Sequence, residues 1–417
     1  MKRVTAKKQL GFLAIIVPGI LLAGTGVGAG DLATASLTGS QLGLSILWAV
    51  VLGGLLKFTL TEGLARWQLV TGQTFLEGAA HHFGHIAGWF FLPYLLLWSF
   101  FVGSALMSAC GITLHAMIPV FNDAANAKVF FGILSGLAGL GLVLSGGFQL
   151  FEKMMGVCIG IMFITVTTTA ILLWPGTTEV ISGLFIPTIP DVQGTGITWT
   201  VALMGGVGGT LTILCYGYWM REKGRTGTEA IKICRIDLAV GYSITILFGV
   251  GMVIIGSTIE IKGSGAGLLV TLAESLENQL GIWGRWLFLI GAFSAIFSSL
   301  LGVWQAVPYL FADIWGLFVK RTNRSSSGNI TKSAPYRIYL LAITFLPMVG
   351  LFMSFKEVQK LYAVIGALFI PLLAIGLLVL NGNRLLVGKF TNRSLTISVL
   401  LAALTFFGLM AWMKWAG

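Results

Sequence analysis

The chain has 417 residues, of which 10 % are charged and 56 % hydrophobic. Soluble domains carry about 25 % charged residues, so this balance excludes a soluble enzyme and a disordered chain. Its 56 glycines keep no three-residue period and its prolines number only 10, which excludes a collagen-like fibre. What remains is an all-α polytopic membrane protein, rich in the residue that lets backbones touch or break.

The net charge is +11, from 26 Lys+Arg against 15 Asp+Glu. No basic run alternates with aromatic residues, so no nucleic-acid partner is expected and the cations read as loop markers. The four cysteines, Cys110, Cys158, Cys215 and Cys234, form no CxxC pair and sit in or beside apolar runs. They read as small buried hydrophobes rather than a disulfide framework or a zinc site.

The start carries Lys2, Arg3, Lys7 and Lys8, and the apolar run after it continues well past Leu22. A signal peptide would stop sooner, so this is a first membrane helix. Eleven apolar runs of membrane-spanning length follow in order: 12–37, 43–66, 86–117, 129–146, 152–174, 196–220, 237–258, 284–318, 337–354, 359–380 and 394–415. No soluble domain is appended, so residues 1–417 form a single transmembrane domain. With the N-terminus in the cytoplasm, nineteen Lys/Arg fall on cytoplasmic segments and six on the other side. That bias predicts a cell-membrane protein, inner or plasma, with N-terminus inside and C-terminus outside.

Two glycine clusters stand out. The first run holds Gly24-Thr25-Gly26-Val27-Gly28-Ala29-Gly30 and the sixth holds Gly205-Gly206-Val207-Gly208-Gly209-Thr210. Both contain Gly-Val-Gly, and they lie five helices apart in the order. Five is odd, so two tandem five-helix units have opposite topology. The expectation is an inverted repeat, 12–174 and 196–380, with helices one and six broken and 394–415 added as helix eleven. Backbone leaves the helix at membrane depth only where it is buried in protein or lines a cavity. The freed carbonyls and amides, with the partial charges of half-helix ends, then make an ion or substrate site. Close packing through small residues is the competing explanation.

The charges inside the runs are few. Asp31 ends the first cluster, deep in an apolar span, where an ionisable group is costly and points to function. With backbone carbonyls around Gly28, Ala29, Gly30 and Gly209 and the hydroxyls of Thr210 and Thr212, it forms an oxygen-rich set. Hard cations such as Mg²⁺, Ca²⁺ or Na⁺ suit it, with Mn²⁺ also admitted. Asp31 is the expected metal ligand, against the alternative of a structural carboxylate held by helix-terminal amides. Lys57 lies mid-way along the second run, too deep to snorkel easily. Its partner is expected to be Asp31 or Glu62. An Asp31–Lys57 pair is the first reading; a tethered cation replacing a coupling ion, or a contact for an anionic solute, are the others. Glu62 and Arg66, four apart, read as a helix-surface ion pair. Asp237 is expected to cap the seventh run. Gln305 and Asp313 are candidates for a pathway, whereas Ser294, Ser298 and Ser299 read as packing residues. His81, His82 and His85 read as a surface cluster rather than a metal site, and Cys215 is a minor candidate for a soft ligand. No phosphate-cradling motif and no nucleophile–base set appears, so no enzyme activity and no cofactor are expected. The partners expected are the lipid bilayer and a metal cation or small solute.

Several motifs together resemble the NRAMP family of divalent-metal transporters. Val17-Pro18-Gly19 through Gly39-Ser40-Gln41, including Ala33-Thr34, looks like that family's first helix. Phe151-Glu152-Lys153, Pro187-Thr188-Ile189-Pro190, and Asn383-Arg384 through Val387-Gly388-Lys389-Phe390-Thr391-Asn392 look similar too. The resemblance implies a LeuT-type fold and secondary transport of divalent cations by alternating access. It also exposes departures. The family's Asp-Pro-Gly-Asn falls on Gly28-Ala29-Gly30-Asp31, so the first ligand carboxylate is a glycine. Its helix-six Met-Pro-His falls near Thr212-Ile213-Leu214, and its helix-ten glutamine falls on Phe369, two residues before a matching Pro371. Soft thioether and imidazole ligands are missing, which favours hard ions. The competing readings are a LeuT-type transporter of a small anionic or zwitterionic solute, and an ion-binding protein that does not transport.

Overall fold

The computed structural model describes residues 12–258, 267–319 and 330–416. The basic residues Lys2, Arg3, Lys7, Lys8, Lys262, Lys320, Arg321 and Arg324, which entered the orientation count, lie outside the described residues. The described chain is helical throughout. Its helices are α1 (Phe12–Gly26), α2 (Ala29–Leu42), α3 (Leu47–Thr71), α4 (Phe75–Phe83), α5 (His85–Met117), α6 (Ala124–Leu172), α7 (Thr177–Phe185) and α8 (Gly196–Gly206). They continue with α9 (Cys215–Glu222), α10 (Ile231–Ser257), α11 (Gly267–Ile314), α12 (Ala334–Phe345), α13 (Phe355–Ala367), α14 (Phe369–Gly382), α15 (Arg384–Val387) and α16 (Ser394–Ala416).

Every predicted apolar run falls on helix. Among the described residues nine helical stretches are long and apolar enough to cross a membrane, or ten if the bent pair ending in α16 is one span. The difference from eleven lies in the first run. It is split into α1, too short to span alone, and α2, which continues through a short turn into α3 as Gly30–Thr71. The fourth and fifth runs are joined in α6 through a sharp kink at Gly147, whose φ of 59° few other residues tolerate. A similar kink at Gly281 adds an amphipathic stretch ahead of the eighth run, merging both in α11.

Small residues set how closely the spans approach. A side chain on Gly19 would lie 2.2 Å from the Asp237 carbonyl oxygen, and one on Gly241 2.4 Å from the Gly19 carbonyl oxygen. Glycine at both positions is what lets the α1 and α10 backbones touch. One on Gly39 would strike the Val253 carbonyl at 2.3 Å, and one on Gly256 the Ser36 carbonyl at 2.1 Å, so α2 continues the same contact along α10. In hydrocarbon, where lipid competes equally for apolar surface, such close backbone approach is a main source of helix association. The packing explanation for the glycine surplus therefore holds along these faces.

Candidate functional site

Both glycine clusters are broken, and the two breaks touch. α1 stops at Gly26 and α2 begins at Ala29; α8 stops at Gly206, and α9 begins at Cys215 after a short 3-10 turn, Leu211–Leu214. Gly208 and Gly209 both sit at φ 79°, a region that disfavours residues with a Cβ. A side chain on Gly26 would lie 2.6 Å from the Gly208 carbonyl carbon. The glycines thus serve twice, allowing the backbone to leave the helix and allowing the two irregular segments to lie in contact.

Asp31 stands in the first turn of α2 and is buried. Its carboxylate accepts a hydrogen bond from the Gly208 N–H at 3.0 Å, across the junction of the two breaks. The anion therefore has the positive end of α2 on one side and a free amide of the sixth span on the other. Lys57, from α3, is fully buried. Its ammonium donates to the carbonyl oxygens of Gly205 and Val207, each at 3.0 Å, and to that of Gly209. It covers the carbonyl end of α8, where the helix dipole favours a cation. The expected direct Asp31–Lys57 ion pair is not among the described salt bridges; the two charges act on each other across the break, each held by backbone. Glu62, the other expected partner, turns instead to Arg66 at 3.2 Å and Arg235 at 2.7 Å. Lys57 and Glu62 are five apart on α3, which places them on different faces.

The remaining predicted residues divide clearly. Thr210 lies at the break and its hydroxyl accepts from the Trp98 indole at 3.2 Å. Thr212 is buried and its hydroxyl has no hydrogen-bond partner. A side chain on Gly28 would meet the Ser299 hydroxyl at 2.4 Å. The position where the resemblance expects a carboxylate is thus closed off by a neighbouring hydroxyl. Ala29 opens α2, but its side chain lies outside the described residues. Ser298 and Ser299 are more than packing residues: their hydroxyls donate to the Gly24 carbonyl at 3.2 Å and the Thr25 carbonyl at 2.7 Å. They satisfy carbonyls that the end of α1 leaves without helical partners.

Further along the same molecule, Gln305 and Asp313 are buried in α11 and engaged. Gln305 accepts from the Trp219 indole at 2.8 Å; Asp313 accepts from the Tyr218 and Thr74 hydroxyls. They tie α11 to α9 and to the cap of α4. Asp237 does not cap α10, which begins six residues earlier at Ile231. It lies fully buried inside the helix, accepting from the Gly19 N–H at 2.7 Å, the Tyr216 hydroxyl at 2.7 Å and Arg225 at 2.6 Å. Arg225, between the sixth and seventh spans, also donates to the Ile15 carbonyl. Burial opposes its charge most strongly of any single effect, but Asp237, Tyr216 and Cys234 together outweigh burial and hold the guanidinium above its ordinary range. This cluster locks α1 to α9 and α10. Arg66, besides its pair with Glu62, donates to the Phe390 carbonyl and to Asn392 at 2.9 Å, anchoring the segment after α14.

Among the described residues no three His, Cys, Asp or Glu side chains gather to hold a metal. His81 and His82 meet Gln73 and the Gly78 carbonyl, and the His85 side chain lies outside the described residues. All four cysteines are buried and free. Sequence reasoning missed Gln359 in α13. Both ends of its amide are buried without a hydrogen-bond partner, and its nitrogen lies 3.3 Å from where a side chain on Gly30 would begin. Tyr362, one turn on, lies 3.0 Å from that point and packs its ring 6.2 Å from that of Trp98. A polar residue at the start of the tenth apolar run was the available signal.

The family model described as natural resistance-associated macrophage protein-like (Nramp) matches residues 19–415. A divalent metal cation transporter MntH from Chromohalobacter salexigens is 22 % identical over 416 residues, covering 93 % of this chain and 87 % of that protein. An MntH from Mycobacterium leprae is 20 % identical over 401 residues, covering 92 % and 87 %. Among solved structures, a manganese transporter from Eremococcus coleocola superposes with a TM-score of 0.77 at 17 % identity, covering 96 % of this chain and 86 % of that one. MhsT, solved with L-phenylalanine, superposes with a TM-score of 0.65 at 14 % identity over 96 % and 98 %. These likenesses show the LeuT-type fold, and the match over nearly its whole length shows that the chain belongs to the Nramp family.

Proposed function

We propose that the chain is a secondary transporter that carries a divalent cation past the paired breaks by alternating access. It is not an enzyme. The observation that carries this reading is Asp31: a buried carboxylate at the contact of two broken helices, held by the Gly208 amide. The transporters named among its relatives support the cargo class. The donors within reach of the junction are oxygens and an amide: the Asp31 carboxylate, break carbonyls, the Thr210 and Thr212 hydroxyls and Gln359. Gly28, Ala29, Gly30 and Gly209 belong to the site through their backbone. Among the described residues no thioether or imidazole stands with these donors, so hard ions such as Mg²⁺ are favoured and Mn²⁺ is admitted.

The two halves, 12–174 and 196–380, act as inverted repeats that rock about the junction, with 394–415 as an added helix. The protein sits in a cell membrane with its N-terminus in the cytoplasm. On that side Gln305, Asp313 and the Arg225–Asp237 cluster hold the pathway shut, and their release accompanies opening. Calorimetry on purified protein across Mg²⁺, Ca²⁺, Mn²⁺ and a set of small amino and carboxylic acids tests the cargo. Saturable heat with a dication, lost in Asp31→Ala, is expected. Heat with an acid and none with any metal contradicts the reading in favour of an organic solute. Metal binding with no flux at any gradient would instead make the protein a sensor.

A further inference from the structure

Lys57 is an oddity for a cation carrier, since it places a positive charge inside the proposed path. We propose that the carbonyls of Gly205, Val207 and Gly209 form a monovalent-cation site that Lys57 fills as the protein's own cation. We infer further that a transported dication displaces this ammonium rather than binding beside it. The second step rests on the transport reading; the first stands without it.

The geometry matches an ammonium donor for donor. Lysine offers three N–H groups and no acceptor, and three carbonyl oxygens converge on Nζ. α8 ends at Gly206, so the Val207 and Gly209 carbonyls lie beyond the helix and are released by the break. Rings of neutral backbone carbonyls hold monovalent ions by replacing their hydration shell, and an ammonium meets the same oxygens. The buried Thr212 hydroxyl has no partner and lies 2.3 Å from where a side chain on Gly209 would begin. It is a buried oxygen beside the Gly209 backbone that lysine does not use. Lys57 itself is fully buried, and among the described residues its ammonium donates to these three carbonyls. Asp31 on the far side of the break supplies the balancing anion. A dication arriving at Asp31 would meet the ammonium in a medium of low dielectric, where like charges repel strongly. Retraction of Lys57 frees the carbonyls for the incoming ion and removes that repulsion, an exchange of one cation for another on one set of oxygens.

The test uses full-length protein in nanodiscs, wild type and Lys57→Met. Thermal melting is followed against NaCl, KCl and methylammonium chloride, with choline chloride as a cation too large to enter. Wild type is expected to be indifferent to all four. Lys57→Met is expected to melt lower in choline and to recover at least about 3 °C with saturating Na⁺ or methylammonium. A variant that melts alike in all four salts overturns the proposal. If Lys57→Met does not fold in any of them, Lys57→Gln carries the test, because its amide keeps donors for the carbonyls without a charge. The glutamine amide offers two donors to three carbonyls and leaves Asp31 without a balancing charge, so this variant is expected to gain a smaller recovery with Na⁺ or methylammonium over choline, and its indifference to every salt overturns the proposal. For the second step, Mn²⁺ binding is measured in both proteins. Displacement predicts at least about tenfold tighter binding in Lys57→Met, a gap that Na⁺ narrows by competition. Equal affinity with no Na⁺ effect overturns the displacement step. Absence of both Mn²⁺ and Mg²⁺ binding in wild type would overturn the transport reading while leaving the melting result to stand.

Discussion

The two helix breaks solve one problem in opposite ways. At the end of α1, the freed carbonyls of Gly24 and Thr25 are satisfied by neutral hydroxyls from α11, Ser298 and Ser299. At the end of α8, the carbonyls of Gly205, Val207 and Gly209 are satisfied by a single charge, the Lys57 ammonium. The first break therefore keeps the buried carboxylate of Asp31; the second is already occupied by a cation. The pair is electrically balanced without an ion present. That balance lets a bilayer protein hold both charges away from water, where either alone would be costly.

The comparison can be broken most severely from the charged side. Asp31→Asn leaves Lys57 without its balancing anion, and a buried charge stripped of its partner costs about 3–5 kcal/mol. The expected result is a lower melting temperature, recovered in the double variant Asp31→Asn, Lys57→Met, whose cost falls short of the sum of the two. Additive costs would show that the charges do not balance each other. Next comes the anchor of α1. Asp237→Asn keeps shape but weakens the contacts to Arg225, Tyr216 and the Gly19 amide. A loss of about 2–4 kcal/mol is expected in chemical unfolding, with transport impaired because α1 loses its tether. If stability is unchanged, the cluster is not what holds α1 in place.

Smaller effects sharpen the contrast. Gly208→Ala puts a Cβ on a residue at φ 79° with Tyr242 only 3.0 Å away. It should cost about 1–3 kcal/mol and shift the amide that holds Asp31. Ser299→Ala removes one neutral cap and should cost about 1 kcal/mol. The neutral break is thereby expected to tolerate loss of its cap far better than the charged break tolerates Lys57→Met. Equal costs for Ser299→Ala and Lys57→Met in a melting series would erase the distinction.

Much of this was legible in the residues themselves. Gly-Val-Gly at 26–28 and 206–208 announced both breaks, because glycine repeats inside apolar spans have few other uses. Two charges deep inside apolar runs, Asp31 and Lys57, announced the site. What was not legible is who partners them. Lys57 was expected to seek a carboxylate, yet its acceptors are backbone carbonyls 148 to 152 residues away, which no side-chain pattern encodes. Asp237 looked like a cap because the apolar run starts there. The helix starts earlier, at Ile231, through turns whose polar face, with Lys232 and Arg235, hides them from an apolar count. Ser298 and Ser299 looked like packing because their acceptors exist only once α1 has ended. Gln359 went unnoticed because a single amide at the head of an apolar run is ordinary until its neighbours are seen to leave it unpartnered.

The central claim is that a divalent cation crosses at the contact of the two breaks through Asp31. Uptake of Mg²⁺ and Mn²⁺ into proteoliposomes, compared between wild type and a folded Asp31→Ala, tests it most directly. Uptake above empty liposomes is expected for wild type and background for the variant. Undiminished flux in Asp31→Ala, or no flux of either ion in wild type, would contradict it.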